Sequence, residues 1–558
     1  MKQLIECVPN FSEGNNLQII EQITNAIESV EGIKLLNVDP GKATNRTVVT
    51  FVGEPEQVVE AAFRGIREAS MLIDMSRHKG AHPRMGATDV CPFIPIAGIS
   101  MEETANFAKK LAKRVGEELA IPVYLYEEAQ ADKKRSNLSV IREGEYEGFA
   151  RKIKLPEWKP DFGPAEFPAK AGATVIGARD FLVAYNVNLN TTSTRRANAI
   201  AFDVREAGRV KREGDPVTGK IVTDAAGNPV SIPGSLKCVK AIGWFIEEYG
   251  IAQISMNLTN IRVTPVHIAF DEVCKKAAER GIRVSGSEIV GLVPLQSLLD
   301  AGKYFLEKQQ RSVGVSEAEL IKIAVKSMGL DELAPFHPEE RIIEYQLRNK
   351  QEERLVSLSA KGFANETASE SPAPGGGSVA ALCGSFGAAL GTMVANLSSH
   401  KRGWDDRWKE FSDYAAMGQR LKDRLLFLVD EDTRSFNAIM DAMALPKSNE
   451  EEKAIRSKAI ADATRYAIEV PFMVIEAAAE AMPMVKKMAE IGNKNSISDA
   501  AVGALCLRTA VHGAYLNVKI NADGYSDKVF TAEIITKAKA ILQNVMQQEA
   551  EVLALMEA

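Results

Sequence analysis

Cysteine is scarce in this chain of 558 residues, and its six cysteines are widely separated. No two of them form a CxxC pair, the spacing that thiolate zinc sites and redox dithiols use. The sequence therefore predicts neither a disulfide framework nor a thiolate metal site. The six are Cys7, Cys91, Cys238, Cys274, Cys383 and Cys506.

Long apolar runs and a strong imbalance of charge are also missing. No stretch approaches the roughly 20 apolar residues that a membrane-spanning helix needs, and the first residues lack the apolar core of a signal peptide. A formal net charge of −6 provides no basic field for nucleic acid or for an anionic membrane. We therefore expect a cytoplasmic protein with no nucleic-acid partner and no membrane partner.

The sequence does contain a change of pattern near residue 330. Before this point, strand-like and helix-like runs follow the order β-α-β-β-α-β, and a second block repeats that order from about residue 181. This predicts an α/β half made of two related subdomains with largely antiparallel sheets and a ligand groove between them. The proline-rich segment 152–172 is the predicted bridge between the subdomains.

After residue 330 the strand signals end, and residues that favour helices recur at helical spacing. This half is predicted to be all-helical, with helices at Val379–Leu397, Arg407–Met443, Ala454–Ile491, Ala500–Val518 and Ala532–Met556. The predicted domains are 1–178 and 179–330 for the two α/β subdomains, 331–345 for a linker and 346–558 for the helical domain. Such a change of fold class favours two separate tasks.

One loop in the first half collects the residues best suited to catalysis. It holds two of the six histidines, His78 and His82. Histidine titrates near neutral pH and can carry protons during a reaction. The loop also holds three cations that suit a carboxylate substrate, namely Arg77, Lys79 and Arg84. The glycine and proline in this loop argue against the helix that a two-histidine metal site would need. The alternative interpretation is a loop histidine bonded to neighbouring carbonyls.

Two further loops of the first half carry more polar groups than a turn needs. In the segment 39–46, the carboxylate of Asp39 suits a polar heterocycle or a substrate amine, and turn chemistry accounts for the segment equally well. The segment Gly163–Gly172 contains one aromatic residue and one charge of each sign, and a stiff linker is an equally good interpretation.

The helical half contains a glycine run and two aspartates that need an explanation. The segment Ser371–Ser378 ends in a glycine run whose amides can face an anion at a helix start, with Ser378 as the predicted N-cap. Asp430 and Asp432 lie inside a predicted helix, where aspartate is unfavourable. Asp430 can pair with Arg434 one turn later, whereas Asp432 has no partner at that spacing.

Taken together, these segments resemble the formimidoyltransferase-cyclodeaminases, bifunctional folate enzymes of histidine degradation. The likeness rests on long motifs that occur in the same order along the chain. They are Glu6–Gly14, the loop with His82, Phe181–Asn190, Ala373–Val379, Asn495–Gly503 and Leu516–Asn521. The resemblance implies transfer of a formimidoyl group between N-formimidoyl-L-glutamate and tetrahydrofolate. It also implies closure of 5-formimidoyltetrahydrofolate to 5,10-methenyltetrahydrofolate, with release of ammonia.

The resemblance also implies roles for individual residues. His82 is the implied catalytic residue of the transferase, and Asp432 that of the cyclodeaminase, with Asp430 as a competitor. Arg77, Lys79 and Arg84 suit the carboxylates of glutamate and of the folate tail. The implied folate site comprises Asp39, which suits the donor edge of a pterin, and Gly163, Pro164, Ala165, Glu166, Phe167, Pro168, Ala169, Lys170, Ala171 and Gly172.

The implied co-substrate is tetrahydrofolate in polyglutamylated form, and neither reaction requires a metal. Family members assemble into rings of dimers, so a homo-oligomer is expected. One alternative keeps the fold and changes the donor, because formyl and formimidoyl groups differ only by oxygen against NH. In that case the chain is a glutamate formyltransferase that uses 5-formyltetrahydrofolate, and its helical half is an oligomerisation scaffold.

Overall fold

A computed structural model describes residues 3–42, 44–80, 83–214, 218–347 and 355–557. The chain forms two compact units. One comprises Met1–Leu298 with Met328–Arg348, and the other comprises Leu299–Ser327 with Asn349–Ala558. All the strands of the described residues lie in the first unit, and the second is helical. The predicted fold class, an α/β half followed by an all-helical half, is confirmed.

A seven-stranded sheet opens the first unit. Its strands are β1 (Leu4–Cys7), β2 (Asn10–Phe11), β3 (Lys34–Gly41), β4 (Arg46–Gly53), β5 (Thr88–Ala97), β6 (Val123–Glu127) and β7 (Thr174–Ala178). β4 pairs with β3 on one side and with β1 and β2 on the other, and β5 then continues the sheet to β7 and β6. The pairings of β7 with β5 and β6 are parallel, so this sheet is less antiparallel than predicted.

The segment 152–172 does not bridge the two subdomains, and that prediction is wrong. The chain that follows it enters β7, which lies between β5 and β6 in the first sheet. All five residues of β7 are buried. A short parallel strand that is buried on both faces lacks the alternation of apolar and polar residues by which strands are recognised.

A second sheet has the predicted β-α-β-β-α-β order. The remaining strands are β8 (Val183–Leu189), the short pair β9 (Arg209–Val210) and β10 (Ser231–Ile232), then β11 (Val239–Ile246), β12 (Ile251–Leu258) and β13 (Val284–Val290). The four long strands are ordered β11-β12-β8-β13, and every pairing is antiparallel. This is the split β-α-β arrangement, with two crossover helices on the sheet.

The helices up to residue 347 are mostly short, and several of them begin with a side-chain cap. They are α1 (Leu17–Glu28), α2 (Pro55–Leu72), α3 (Met101–Glu118), α4 (Leu138–Ile141), α5 (Glu145–Lys152), α6 (Thr194–Val204), α7 (Val266–Ala278), α8 (Leu295–Lys308), α9 (Glu317–Met328), α10 (Pro338–Arg341) and α11 (Ile343–Leu347). In α3, for example, Ser100 and Glu103 form a capping box. The apolar faces of α1, α2 and α3 share one buried core with the first sheet.

Of the six helices that end the second unit, the last five match the predicted helical runs within a few residues, and the short first one was not predicted. The six are α12 (Ala360–Thr367), α13 (Gly376–Ser399), α14 (Trp408–Ala444), α15 (Glu450–Ile491), α16 (Ile497–Ala522) and α17 (Lys528–Glu557). Small residues of α13 permit close packing against the neighbouring helices. A Cβ added at Gly387 would lie 2.7 Å from Leu507, and one added at Gly391 would lie 2.7 Å from Val485.

Helix α13 is also long and apolar enough to cross a membrane by length and composition alone, which the sequence analysis did not expect. It is the only such helix among the described residues. Most of its apolar stretch is buried inside the helical unit. A core helix passes the same length and composition test, so this property gives weak evidence for a membrane span.

Candidate active sites

The loop that contains His82 is anchored by the turn between β3 and β4. His82 itself lies outside the described residues. Just before it, the Lys79 carbonyl accepts a hydrogen bond from Asn45 Nδ2 at 2.9 Å. The Asn45 carbonyl accepts one from His78 Nε2, also at 2.9 Å. Asn45 adopts a left-handed backbone conformation, with φ at 47°, which asparagine tolerates better than most residues. This part of the segment 39–46 therefore holds the loop as well as reversing the chain.

His78 has the structural role that the alternative interpretation describes. Its Nε2 donates to a carbonyl, so its Nδ1 carries the lone pair and accepts from Arg84 Nε at 3.2 Å. Both ring nitrogens are thus engaged with the protein. Of the two loop histidines, His82 remains the candidate for proton transfer.

Arg84 is a buried guanidinium that pairs with two carboxylates of the protein. It donates to Glu145 Oε2 at 3.1 Å and to Glu147 Oε1 at 2.7 Å. These bonds lower the pKa of Glu147 and tie the loop to the start of α5. Sequence reasoning missed both glutamates, because acidic residues in the first turn of a helix are common and are not a functional signal.

A cavity of about 440 Å³ opens beside this loop. It is lined by Lys79, Gly80, Arg84, Gly144, Glu145 and Glu147. The three cations of the loop are therefore placed differently. Lys79 is exposed and lines the cavity, and Arg84 lines it with its charge compensated. Arg77 is 88% exposed, lies 3.6 Å from Asp74 and is not part of the lining.

The segment Gly163–Gly172 packs against the same loop from another direction. The Met75 amide donates to the Lys170 carbonyl at 3.0 Å, and the Ala87 amide donates to the Ala171 carbonyl at 2.8 Å. The ring of Phe167 lies 5.4 Å from that of Tyr146, in α5. The structure therefore brings the predicted folate loop and the predicted catalytic loop together. The predicted folate residue Asp39 is exposed on β3.

A buried ion pair supports the far end of the loop. Asp89 is fully buried, accepts from the Met85 amide at 3.0 Å and pairs with Arg142. Burial raises the pKa of Asp89, although Arg142 opposes the effect. Breaking such a pair leaves an uncompensated buried charge. The sequence signal that was available is an aspartate inside an otherwise apolar strand.

In the helical unit, the glycine run meets the two aspartates predicted from sequence. Helix α13 has Gly375 as its N-cap, so the prediction that Ser378 is the cap is wrong. Ser378 is the third residue of the helix, and its hydroxyl donates to Asp432 Oδ2 at 2.8 Å. The carboxylate of Asp432, in the middle of α14, therefore lies against the first turn of α13.

Asp432 and Asp430 differ in their surroundings. Burial raises the pKa of Asp432, while hydrogen bonds from the Ser378 hydroxyl and amide oppose the effect. Asp430 is half-buried and is not engaged by Ser378. The adjacent Glu431 accepts from Arg434 at 2.9 Å and from the Tyr466 hydroxyl at 2.5 Å. Only Asp432 of the two is held at the glycine run.

Two further polar segments of the helical half, Leu516–Asn521 and Gly492–Asp499, lie at opposite ends of α13. A Cβ added at Gly376 would lie 3.6 Å from Asn517 Nδ2, so the motif Leu516–Asn521 reaches the glycine run. The cluster Gly492–Asp499 instead meets the other end of α13, where the Asn493 amide donates to Ser398 Oγ at 2.8 Å. About 30 Å of helix separates Ser398 from Ser378 at 1.5 Å per residue.

Comparison with known proteins identifies the family. A model described as "Formiminotransferase domain, N-terminal subdomain" matches residues 4–179, "Formiminotransferase domain" matches 184–348, and "Formiminotransferase-cyclodeaminase" matches 359–540. The formimidoyltransferase-cyclodeaminase of Mus musculus is 44% identical over 559 residues, which cover 100% of this chain and 99% of that protein. The chain belongs to the formimidoyltransferase-cyclodeaminase family.

Two shorter relatives correspond to parts of the family architecture. A glutamate formimidoyltransferase of Thermoplasma acidophilum is 45% identical and covers 54% of this chain and 92% of its own length. A methenyltetrahydrofolate cyclohydrolase of Methylorubrum extorquens is 35% identical and covers 32% of this chain and 86% of its own length. The predicted family and bifunctional enzyme class are confirmed. The formyltransferase with a helical scaffold is not supported.

The comparisons also support tetrahydrofolate as the co-substrate, as the family implies. Across the parts of the chain that the structure describes, no group of three or more His, Cys, Asp or Glu side chains is placed to hold a metal ion.

Proposed function

We propose that formimidoyl transfer takes place at the cavity beside the His82 loop and that ring closure takes place at the first turn of α13. The observation that supports the first site is the convergence of three elements on one loop. These are the turn with Asn45, the segment Gly163–Gly172 and the start of α5. The corresponding observation for the second site is the contact between Asp432 and Ser378.

In the transferase reaction, N5 of tetrahydrofolate attacks the amidine carbon of N-formimidoyl-L-glutamate. The bond from that carbon to N5 forms, and the bond to the glutamate nitrogen then breaks. We propose that neutral His82 accepts the proton of N5 and returns a proton to the departing amine of glutamate. His78 takes no part, because both of its ring nitrogens already bond to the protein.

The proposed binding groups are arranged around the same cavity. Lys79 pairs with a carboxylate of the glutamate substrate, and the successive carboxylates of a polyglutamylated folate are further anions for a cationic loop. The ring of Phe167, packed on Tyr146 and Phe149, offers an aromatic surface to the folate. Asp39 is retained as the proposed partner of the pterin donor edge.

In the cyclodeaminase reaction, N10 attacks the formimidoyl carbon and ammonia leaves from the same carbon. The departing imine nitrogen must gain two protons to leave as ammonia, one from N10 as that nitrogen forms its new bond and the second from an acid. We propose that the protonated carboxyl of Asp432 donates this second proton, with Asp430 as the competing donor. Burial favours the neutral form of Asp432 because it raises the pKa of that carboxyl.

The different positions of Lys79 and Arg77 provide a matched test of the transferase site. We expect Lys79→Met to raise the KM for N-formimidoyl-L-glutamate about 10-fold with little change in kcat. This pattern is expected when the lost contact stabilises the bound substrate and the transition state equally. Arg77→Met should change KM less than 2-fold, because Arg77 is not part of the cavity lining. Initial rates of transfer measure both. An equal rise in KM for the two variants would contradict this placement of the substrate.

We further propose that the protein is cytoplasmic and assembles as a homo-oligomer, a ring of dimers. All six cysteines are free thiols, which suits a reducing compartment. Two helices that pack on each other carry exposed apolar side chains. These are Phe386, Met393 and Leu397 on α13, and Val502, Leu505, Leu516 and Ile520 on α16.

A charge placed on this apolar surface should weaken assembly. We expect Phe386→Glu to lower the molar mass measured by light scattering, because Phe386 is 55% exposed and would carry its charge into an interface. Leu17→Glu is the control, since Leu17 is at least as exposed, at 64%, but lies in the α/β unit. If Phe386→Glu keeps the mass of the parent protein, α13 is not an assembly surface.

A further inference from the structure

Three consecutive glycines at the start of α13 have different surroundings. A Cβ added at Gly377 would lie 2.1 Å from Asp432 Oδ1 and 2.6 Å from its Cγ. One added at Gly376 would meet only Asn517 Nδ2, at an ordinary 3.6 Å, and one added at Gly375 would meet nothing within 4 Å. The absence of a side chain is therefore a steric requirement at Gly377 alone.

We propose that Gly377 and Ser378 are positioning residues for Asp432 in the ring-closure reaction. Gly377 leaves the space in which the carboxyl lies, and the Ser378 hydroxyl fixes the orientation of that carboxyl. The inference rests on the proposed role of Asp432 as the proton donor. It assigns a task to a glycine motif that the sequence explains only as a helix start.

Helix energetics agree with a functional reason for Gly377. Glycine inside a helix is less favourable than alanine. Gly375 needs no further explanation, because glycine is accepted at an N-cap. Gly377 is the second residue of the helix and is buried, so an alanine there would favour the helix but for the contact with Asp432.

A Cβ added at Gly377 would displace the Asp432 carboxyl further than a catalytic group can usually move without loss of rate. Ordinary van der Waals contact needs at least 3.4 Å, whereas the Cβ of an alanine at Gly377 would lie 2.1 Å from Asp432 Oδ1. The carboxyl must therefore move by more than 1 Å, and a shift of about 1 Å in a catalytic group can cost roughly 100-fold in rate.

The Ser378 hydroxyl also influences the protonation of Asp432. Its hydrogen bond lowers the pKa that burial raises. The ionisable groups next to Asp432 on α14 are Asp430, Glu431 and Arg434. Glu431 is bonded to Arg434 and to Tyr466 of α15, and the neutral Asn517 of α16 lies near Gly376 at the same helix start. Loss of the hydroxyl should therefore raise the pKa of Asp432 further.

The first experiment compares the three glycines in the full chain, with 5-formimidoyltetrahydrofolate as the supplied substrate. Gly377→Ala should lower the cyclodeaminase kcat about 100-fold and change KM less than 3-fold. Gly376→Ala and Gly375→Ala should lower kcat by a much smaller factor, because neither added Cβ would meet Asp432. Transferase rates and thermal midpoints should remain those of the parent in all three variants, which excludes a loss of folding as the cause.

The outcomes separate the inference from the function on which it rests. If Gly377→Ala behaves like the two control variants while Asp432→Asn is inactive, the positioning role is overturned and the role of Asp432 stands. If Asp432→Asn retains cyclodeaminase activity, the proposed proton donor itself is wrong.

The second experiment measures kcat against pH for Ser378→Ala. A general acid is active while protonated, so the rate falls as pH rises through its pKa. A higher pKa for Asp432 moves that basic limb to higher pH in the variant. A uniform loss of kcat at every pH would show a structural role for Ser378 and would overturn its part in the inference.

Discussion

Replacement of His82 by alanine is expected to lower the transferase kcat/KM about 1000-fold. The general acid–base contribution of a positioned side chain is roughly 100- to 10,000-fold, and no second histidine of the loop can replace His82, because His78 is bonded through both ring nitrogens. The measurement is formation of 5-formimidoyltetrahydrofolate from tetrahydrofolate and N-formimidoyl-L-glutamate.

The same variant carries its own control. Release of ammonia from supplied 5-formimidoyltetrahydrofolate should proceed at the parent rate, because the proposed ring-closure residues lie in the helical unit. His78→Ala should reduce transfer by a smaller factor, through loss of an anchor of the loop. Transfer that survives in His82→Ala but is lost in His78→Ala would reverse the assignment of the two histidines.

Replacement of Asp432 by asparagine is expected to have the converse effect. Ammonia release should fall by about 1000-fold, since asparagine preserves the size of the side chain but has no acidic proton to transfer. Formimidoyl transfer should be unchanged. The basic limb that the parent shows in kcat against pH, where Asp432 loses its proton, should be absent from any residual activity.

Asp430→Asn is the matched control for this prediction. Asp430 lies on the same helix two residues away, but the Ser378 hydroxyl bonds to Asp432 and not to Asp430. We expect Asp430→Asn to retain ammonia release within 3-fold of the parent rate. Loss of ring closure in Asp430→Asn with a fully active Asp432→Asn would assign the acid to the competitor.

The elements with strong periodicity could be predicted from the sequence, and the weakly patterned ones could not. The strand Val239–Ile246 alternates buried and exposed residues over most of its length, which is the pattern by which a half-buried strand is recognised. β7 was missed because it is short and wholly buried. Because β7 was not predicted, the segment 152–172 was interpreted as leading out of the first subdomain. This produced the wrong prediction that the segment is a bridge.

The candidate sites divide in the same way. Unusual residue types revealed the His82 loop and the aspartates of α14, because histidines and cations in a loop, or aspartates in a helix, have few structural uses. The partners of these residues belong to the tertiary structure. Nothing in the sequence distinguishes Glu147 from other surface acids or shows that Ser378 bonds to Asp432 instead of capping its own helix.

The most direct test of the account is one coupled assay of the purified chain and of its two variants, His82→Ala and Asp432→Asn. Tetrahydrofolate and N-formimidoyl-L-glutamate are supplied, and the absorbance of 5,10-methenyltetrahydrofolate is followed together with ammonia. The account predicts that the parent forms both products in equal amounts. His82→Ala should form them only from added 5-formimidoyltetrahydrofolate, and Asp432→Asn should stop at that intermediate. If either variant blocks both steps, or neither step, the assignment of one reaction to each site is contradicted.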